Sequence, residues 1–259
     1  MSLYVDTHCH LDLFPNPPRA LDEAPRTVAV AATELPSRYR LLASRFRGDR
    51  RVRVALGLHP LRAAAAGPLE VGQLVRQLPH TEYVGEVGLD FSAHGKSTKT
   101  AQLRVFDRLL AEPALRHKVV TVHSRGAEAV VIERLRVAGV LAILHWYTGP
   151  LGLVAEALAA GLYFSINPAM LRTDKGRKVV AALPHDRVLT ESDGPFAKAH
   201  GHSAGPADMK RLVSDLADVW KATPDTVRDQ IYDNLASLYA ATVGMASRCN
   251  LRFVLEGLN

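Results

Sequence analysis

Cysteine is almost absent from this chain. The two residues, Cys9 and Cys249, lie far apart and form no C-x-x-C pair, which excludes a disulfide-stapled secreted domain and points to a reducing compartment. Long apolar runs are missing too: none approaches the roughly 18 residues a membrane span needs. The opening Met-Ser-Leu-Tyr-Val-Asp-Thr-His has neither a basic segment nor an apolar core of the kind that marks a signal peptide. A soluble, cytoplasmic protein without membrane attachment is expected. A glycine-rich nucleotide loop after an early strand is also lacking, which argues against a doubly wound open sheet. There is no internal repeat, low-complexity tract or proline-rich linker.

What is present is alternation. Short β-branched apolar runs at residues 3–5, 27–31, 52–56, 83–87, 119–122, 141–144, 162–166 and 188–190 predict strands. Between them, helical periodicity covers 36–46, 69–78, 99–115, 127–137, 151–160 and 177–183, and two further helices are expected at 207–221 and 224–240. Thr223 and Pro224 supply an N-cap and a first helical residue for the last of these. Runs such as Val119-Val120-Thr121-Val122 are apolar on both faces, as strands of a helix-covered parallel sheet are. Eight strand–helix units in 259 residues predict one α/β domain over 1–259, a (β/α)8 TIM barrel with extra C-terminal helices and a C-terminal extension at 244–259.

In such barrels the active site lies at the C-terminal ends of the strands. Polar residues mark seven of those ends here: Asp6-Thr7-His8-Cys9-His10, His59, Glu86 through Asp90, His123-Ser124-Arg125, His145-Trp146, Asn167 and Glu191-Ser192-Asp193. Five of the eleven histidines therefore converge on one rim with carboxylates between them, and a metal centre is the economical explanation. Residues two apart on a strand share a face, so Asp6, His8 and His10 point one way and Cys9 the other, toward the helical layer. Asp6 is placed to orient a ligand histidine from behind. Imidazole-rich ligation suits zinc or manganese better than an all-oxygen magnesium site. The donors outnumber what one tetrahedral ion takes, and two ions sharing a carboxylate would use them all.

The segments D-T-H-C-H-L, G-L-H-P, G-E-V-G-L-D, H-S-R, H-W-Y-T-G and E-S-D-G-P, in this order from Asp6 to Pro195, resemble the successive motifs of TatD-type deoxyribonucleases. The resemblance implies two divalent ions (zinc, manganese or magnesium). His8, His10 and Asp193 would hold one, His123 and His145 the other, and Glu86 would bridge them. It further implies a phosphodiesterase that attacks DNA, single strands or 3′ ends, through a metal-bridging hydroxide. Asp193 would take the water's proton, His59 and Arg125 would contact phosphate, and Asp90 and Glu191 would support the ligands. The chain departs from the family at Phe196-Ala197, at Gly201-His202-Ser203 and in its tail, which bears Phe253, Val254 and Leu255. These departures bear on substrate choice and leave the metal centre intact. The compact barrel and tail also resemble the QatD components of bacterial anti-phage assemblies, which would add defence-system protein partners.

Two other readings compete. One is an amidohydrolase-type enzyme acting on a small molecule; these often bridge their ions with a modified lysine, but Lys118 begins its strand rather than ending it. The other is a partner-binding barrel with weak activity of its own. The net charge of +6 favours a polyanionic partner only mildly, and its densest stretch, Arg45, Arg47, Arg50, Arg51 and Arg53, reads as a solvated helix end and turn.

Overall fold

The computed structural model describes residues 3–244; the expected extension at 244–259, apart from Gly244, lies outside them. Eight strands follow one another: β1 Tyr4–Cys9, β2 Thr27–Ala31, β3 Val52–Val54, β4 Tyr83–Gly88, β5 Val119–His123, β6 Ala142–His145, β7 Tyr163–Ile166 and β8 Val188–Thr190. Every neighbouring pair within β1–β3 and within β4–β8 is parallel. One bridge, Leu56 with Val84, joins the two groups, fixed by Leu56 N–H to Tyr83 O at 3.0 Å and Gly85 N–H to Leu56 O at 2.9 Å.

The barrel closes between β8 and β1 through threonine side chains. Thr7 Oγ1 donates to Thr190 O at 3.0 Å, and Thr190 Oγ1 donates to Val5 O at 2.5 Å. Just beyond, Asp193 N–H reaches His8 O at 2.8 Å and His10 N–H reaches Gly194 O at 2.8 Å. Each such bond contributes about 0.5–1.5 kcal/mol net. The single-barrel fold expected from the sequence is thus the one observed.

The helices are α1 Pro17–Asp22, α2 Pro36–Arg45, α3 Pro68–Gln77, α4 Lys99–Leu110, α5 Glu128–Ala138, α6 Gly152–Ala159, α7 Pro168–Leu171, α8 Asp174–Ala182, α9 Met209–Trp220 and α10 Pro224–Thr242. A two-residue hairpin, β9 Lys198–Ala199 with β10 His202–Ser203, lies between β8 and α9. Val119 through Val122 are all buried, as a strand covered on both faces must be. The inward stripe of α4 is Gln102, Phe106 and Leu109, and burying the last two contributes about 1.5–3 kcal/mol each. Thr223 caps α10 by accepting from Thr226 N–H at 3.2 Å. No helix among the described residues is long and apolar enough to cross a membrane.

Several bounds differ from expectation, as in β1, which runs to Cys9 rather than residue 5. The helix expected over 99–115 stops at Leu110, and Pro113 opens a separate 3-10 turn, Pro113–His117. Proline holds the preceding Glu112 in an extended conformation (φ −84°, ψ 115°), which a continuing helix forbids. β3 ends at Val54 rather than residue 56 because Leu56 turns to pair with β4. The short helices α1 and α7 have too few residues for periodicity to reveal; Asn16 caps α1 and Asn167 caps α7, each before a proline at the first helical position.

Candidate metal centre

The strand register shifts at two places, between Asp6 and Cys9 in β1 and between Val84 and Val87 in β4. These are the stretches that carry His8 and Glu86, and irregular pairing of this kind re-aims side chains beside active sites. Cys9 turns outward to the helical layer with Leu11, Leu21 and Ala29, as expected.

Glu86 is 2% exposed and its two oxygens face different neighbours. Oε2 lies 3.2 Å from His10 Nε2 and 3.5 Å from His8 Nε2. Asp193 Oδ1 completes that group, 3.6 Å from His10 Nε2 and 3.8 Å from His8 Nε2. Oε1 lies 2.7 Å from His123 Nδ1, 2.9 Å from His145 Nε2 and 3.3 Å from His59 Nε2. All six expected ligands and His59 are therefore brought together, with Glu86 between two sets of imidazoles.

The electrostatics follow from burial. Desolvation and the neighbouring His145 lower the His8 pKa to about 4, which keeps the ring neutral, the form that binds metals. Burial works to raise the Glu86 carboxyl, but His59, His145, His10 and His123 overcome it and hold it well below the usual carboxylate range. Burial raises Asp193 to about 7 against the opposing pull of His145 and His10. His145, wedged between Glu86 and Glu191, is pushed well above the ordinary histidine value despite its burial. Three buried carboxylates thus demand positive charge at their centre.

The donor set fits a divalent ion. His8 Nδ1 lies 2.7 Å from Thr121 Oγ1; with the proton on that side, Nε2 presents its lone pair to His10 Nε2, 3.3 Å away, and to Glu86 and Asp193. Lone pairs converging without a donor between them are favourable only around a cation. Three groups of possible ligand atoms each lie within 4.8 Å of one another: His8, His10 and Asp193; His59, Glu86 and His123; and His8, His145 and Glu191. His59 differs from the rest. Its Nδ1 accepts from Leu61 N–H at 3.1 Å, so the proton sits on Nε2 and the ring offers the site a donor rather than a lone pair.

The supporting residues sit close behind. Glu191 accepts from Ser165 Oγ, from Asn167 Nδ2 at 3.1 Å and from Trp146 N–H at 2.9 Å, and its Oε1 is 3.6 Å from His145 Nδ1. Asp90 Oδ2 is 2.9 Å from His123 Nε2. Its own backbone N–H is held by the buried Gln102 at 2.7 Å. Asp6 departs from expectation, since it touches no imidazole. Its carboxylate accepts from Ser192 N–H at 2.9 Å, Ser192 Oγ at 2.6 Å and the backbone N–H of His8 at 3.3 Å, tying the end of β1 to the end of β8. Burial raises its pKa to about 7.

Two residues at the site have left-handed backbones, Trp146 (φ 39°) and Asp193 (φ 44°), a conformation that costs about 1–3 kcal/mol and gathers at functional sites. Gly85 (φ 157°) is needed for space as well: a Cβ there would fall 2.1 Å from Thr121 Cγ2 and push Thr121 off His8.

Above the cluster opens a cavity of about 550 Å³ whose walls include Glu34, Leu61, His94, Arg125, Trp146 and Phe196. Arg125 is exposed on that wall. The arginine-rich stretch lies elsewhere. Residues 45–51 run from the end of α2 to the start of β3, on the face opposite the site, and Arg51 is paired with Asp49 and Asp22 there.

Thr121, Ser165 and Ser192 are the supporting residues that the sequence reading left unassigned. Period two could have found the first two, since Thr121 shares a face with His123 and Ser165 with Asn167.

The TatD related DNase model matches residues 5–240. The chain belongs to that family. It is therefore a metal-dependent hydrolase. Human deoxyribonuclease TATDN3 is 31% identical over 220 residues, covering 74% of this chain and 77% of the human protein. An uncharacterized metal-dependent hydrolase of Methanocaldococcus jannaschii is 24% identical over 245 residues, covering 91% of this chain and 96% of its own. The crystal structure of the TatD homolog YJJV from Escherichia coli superposes with a TM-score of 0.82 at 21% identity, covering 91% of this chain and 97% of that one; it shows a shared fold.

Proposed function

We propose that this chain is a two-ion phosphodiesterase that hydrolyses DNA, with unpaired strands or 3′ ends as substrate. The observation that carries the reading is the division of Glu86: one oxygen faces His8 and His10, which Asp193 also approaches, and the other faces His123, His145 and His59. In this reading His8, His10, Asp193, His123 and His145, with Glu86 between them, would hold two divalent ions. Divalent ions held there would lower the pKa of a water and offset charge developing on the phosphoryl oxygens.

The chain's own groups do the rest. Asp193 accepts the proton of the attacking water at its carboxylate, which borders the His8 and His10 side of the cluster. His59 donates its Nε2 proton to a phosphate oxygen, since Leu61 N–H occupies the opposite nitrogen. Arg125, on the cavity wall, holds a phosphate by charge. Asp90 fixes His123 from behind at 2.9 Å, and Glu191 lies 3.6 Å behind His145.

The test is cleavage of single-stranded DNA by metal-stripped protein with Mn²⁺, Zn²⁺ or Mg²⁺ restored, beside a Glu86→Ala, His123→Ala double variant. Metal-dependent cleavage, absent from the variant, is expected. Confirmed metal binding without cleavage of DNA would overturn the substrate assignment and favour a small-molecule substrate.

A further inference from the structure

Phe196 stands out among the residues of the cavity wall as a large aromatic side chain left more than half uncovered. It is 54% exposed, while its neighbour Ala197 is 1% exposed and packs with Ala199 and Ala204 beneath Trp146. Its backbone is held at the centre itself: the N–H groups of Phe196 and Ala197 both donate to Asp193 O, at 2.9 and 3.0 Å. The ring stands edge-on to His10, with centroids 5.1 Å apart and planes at 79°. A large apolar ring fixed over a polar cluster, yet open to the cavity, contributes little to the core and is pre-organised to receive another flat group.

The depth of the site restricts what that group is. A reacting phosphodiester must come down to Glu86, which is 2% exposed beneath the cavity. The space, about 550 Å³, is that of a small-molecule pocket. It admits a nucleotide, whereas a paired duplex, whose major groove alone is about 12 Å wide, stays outside. The nucleotide at the scissile bond therefore enters unpaired, and its base, one sugar away from the phosphate, meets the wall over His10. Resting on the nuclease reading above, we propose that Phe196 is the platform on which that unpaired base stacks. Stacking of this kind tolerates any base, so the subsite selects for an unpaired nucleotide rather than for a sequence.

The experiment compares two single-stranded oligonucleotides, one ordinary and one carrying an abasic residue at the cleaved end, in the metal-loaded enzyme. The wild-type protein is expected to lose roughly 5- to 100-fold in kcat/KM on the abasic strand. Phe196→Ala should cleave the ordinary strand at a similarly reduced kcat/KM and no longer distinguish the two, whereas Phe196→Tyr should restore the distinction. A wild-type enzyme indifferent to the missing base, or a Phe196→Ala variant that still distinguishes the strands, would overturn the platform while leaving the nuclease reading intact. Absence of cleavage of either strand by the wild-type enzyme would instead overturn the nuclease reading and the platform with it.

Discussion

The two sets of donors on either side of Glu86 are built to different tolerances. His8 and His10 are 0–1% exposed, and Asp193 shares their tight seam where the ends of β1 and β8 are bonded together. On the other side His145 is 5% exposed, and His59 and His123 are 12% and 16% exposed; His10 and Asp193 reach the same cavity, while His8 stays beneath it. One set is held by the closure of the barrel and the other by single carboxylates reaching up from loops. The difference separates a His8 side sealed by the barrel seam from a His123 side that is more open to solvent.

The largest predicted effect tests that division directly. His8→Ala should lower kcat/KM by about 10²–10³ at every metal concentration, because nothing else fills the sealed side. In His123→Ala, added metal should recover part of a comparable loss, since the open side can be supported by water. Equal losses that metal leaves unchanged would erase the comparison.

Next come the residues behind the ligands. Thr121→Val removes the partner of His8 Nδ1, and Asp90→Asn weakens that of His123; each should lower metal affinity about 10- to 100-fold. Titration of stripped protein should show the tighter binding event weakened by the first change and the looser by the second. A single event affected equally by both would count against two distinct sites.

The smallest effect concerns the seam. Thr190→Val deletes the bond to Val5 O and should cost about 1–3 kcal/mol in urea unfolding. An unchanged midpoint would mean that the remaining bonds of the seam and its packing close the barrel without this one.

How much of this was legible in the sequence depended on residue type. Histidine and carboxylate at a strand end are conspicuous because burial there is costly without a purpose, so His8, His10, Glu86, His123, His145 and Asp193 stood out. Thr121 and Ser165 did not, because a threonine or serine between apolar strand residues looks like ordinary β-propensity. Asp6 was legible as a buried carboxylate behind His8, from whose backbone N–H it accepts, but its tie to Ser192 was not. Its face was right, yet Ser192 comes from the far end of the chain, and pairing across 186 residues leaves no local signal. The helix expected over 99–115 failed for a local reason, Pro113, that was visible in the sequence.

The threonine seam has a further consequence for how the chain comes into being. Its bonds join residues 183 and 185 positions apart, and His8 waits at one end for Asp193 from the other. His8 and His10 on β1 therefore meet Asp193 only once β8 has been made and docked. Contacts this distant in sequence form late and slowly, and metal binding draws on the same free energy as folding. Assembly of the His8, His10 and Asp193 group thus requires the completed barrel.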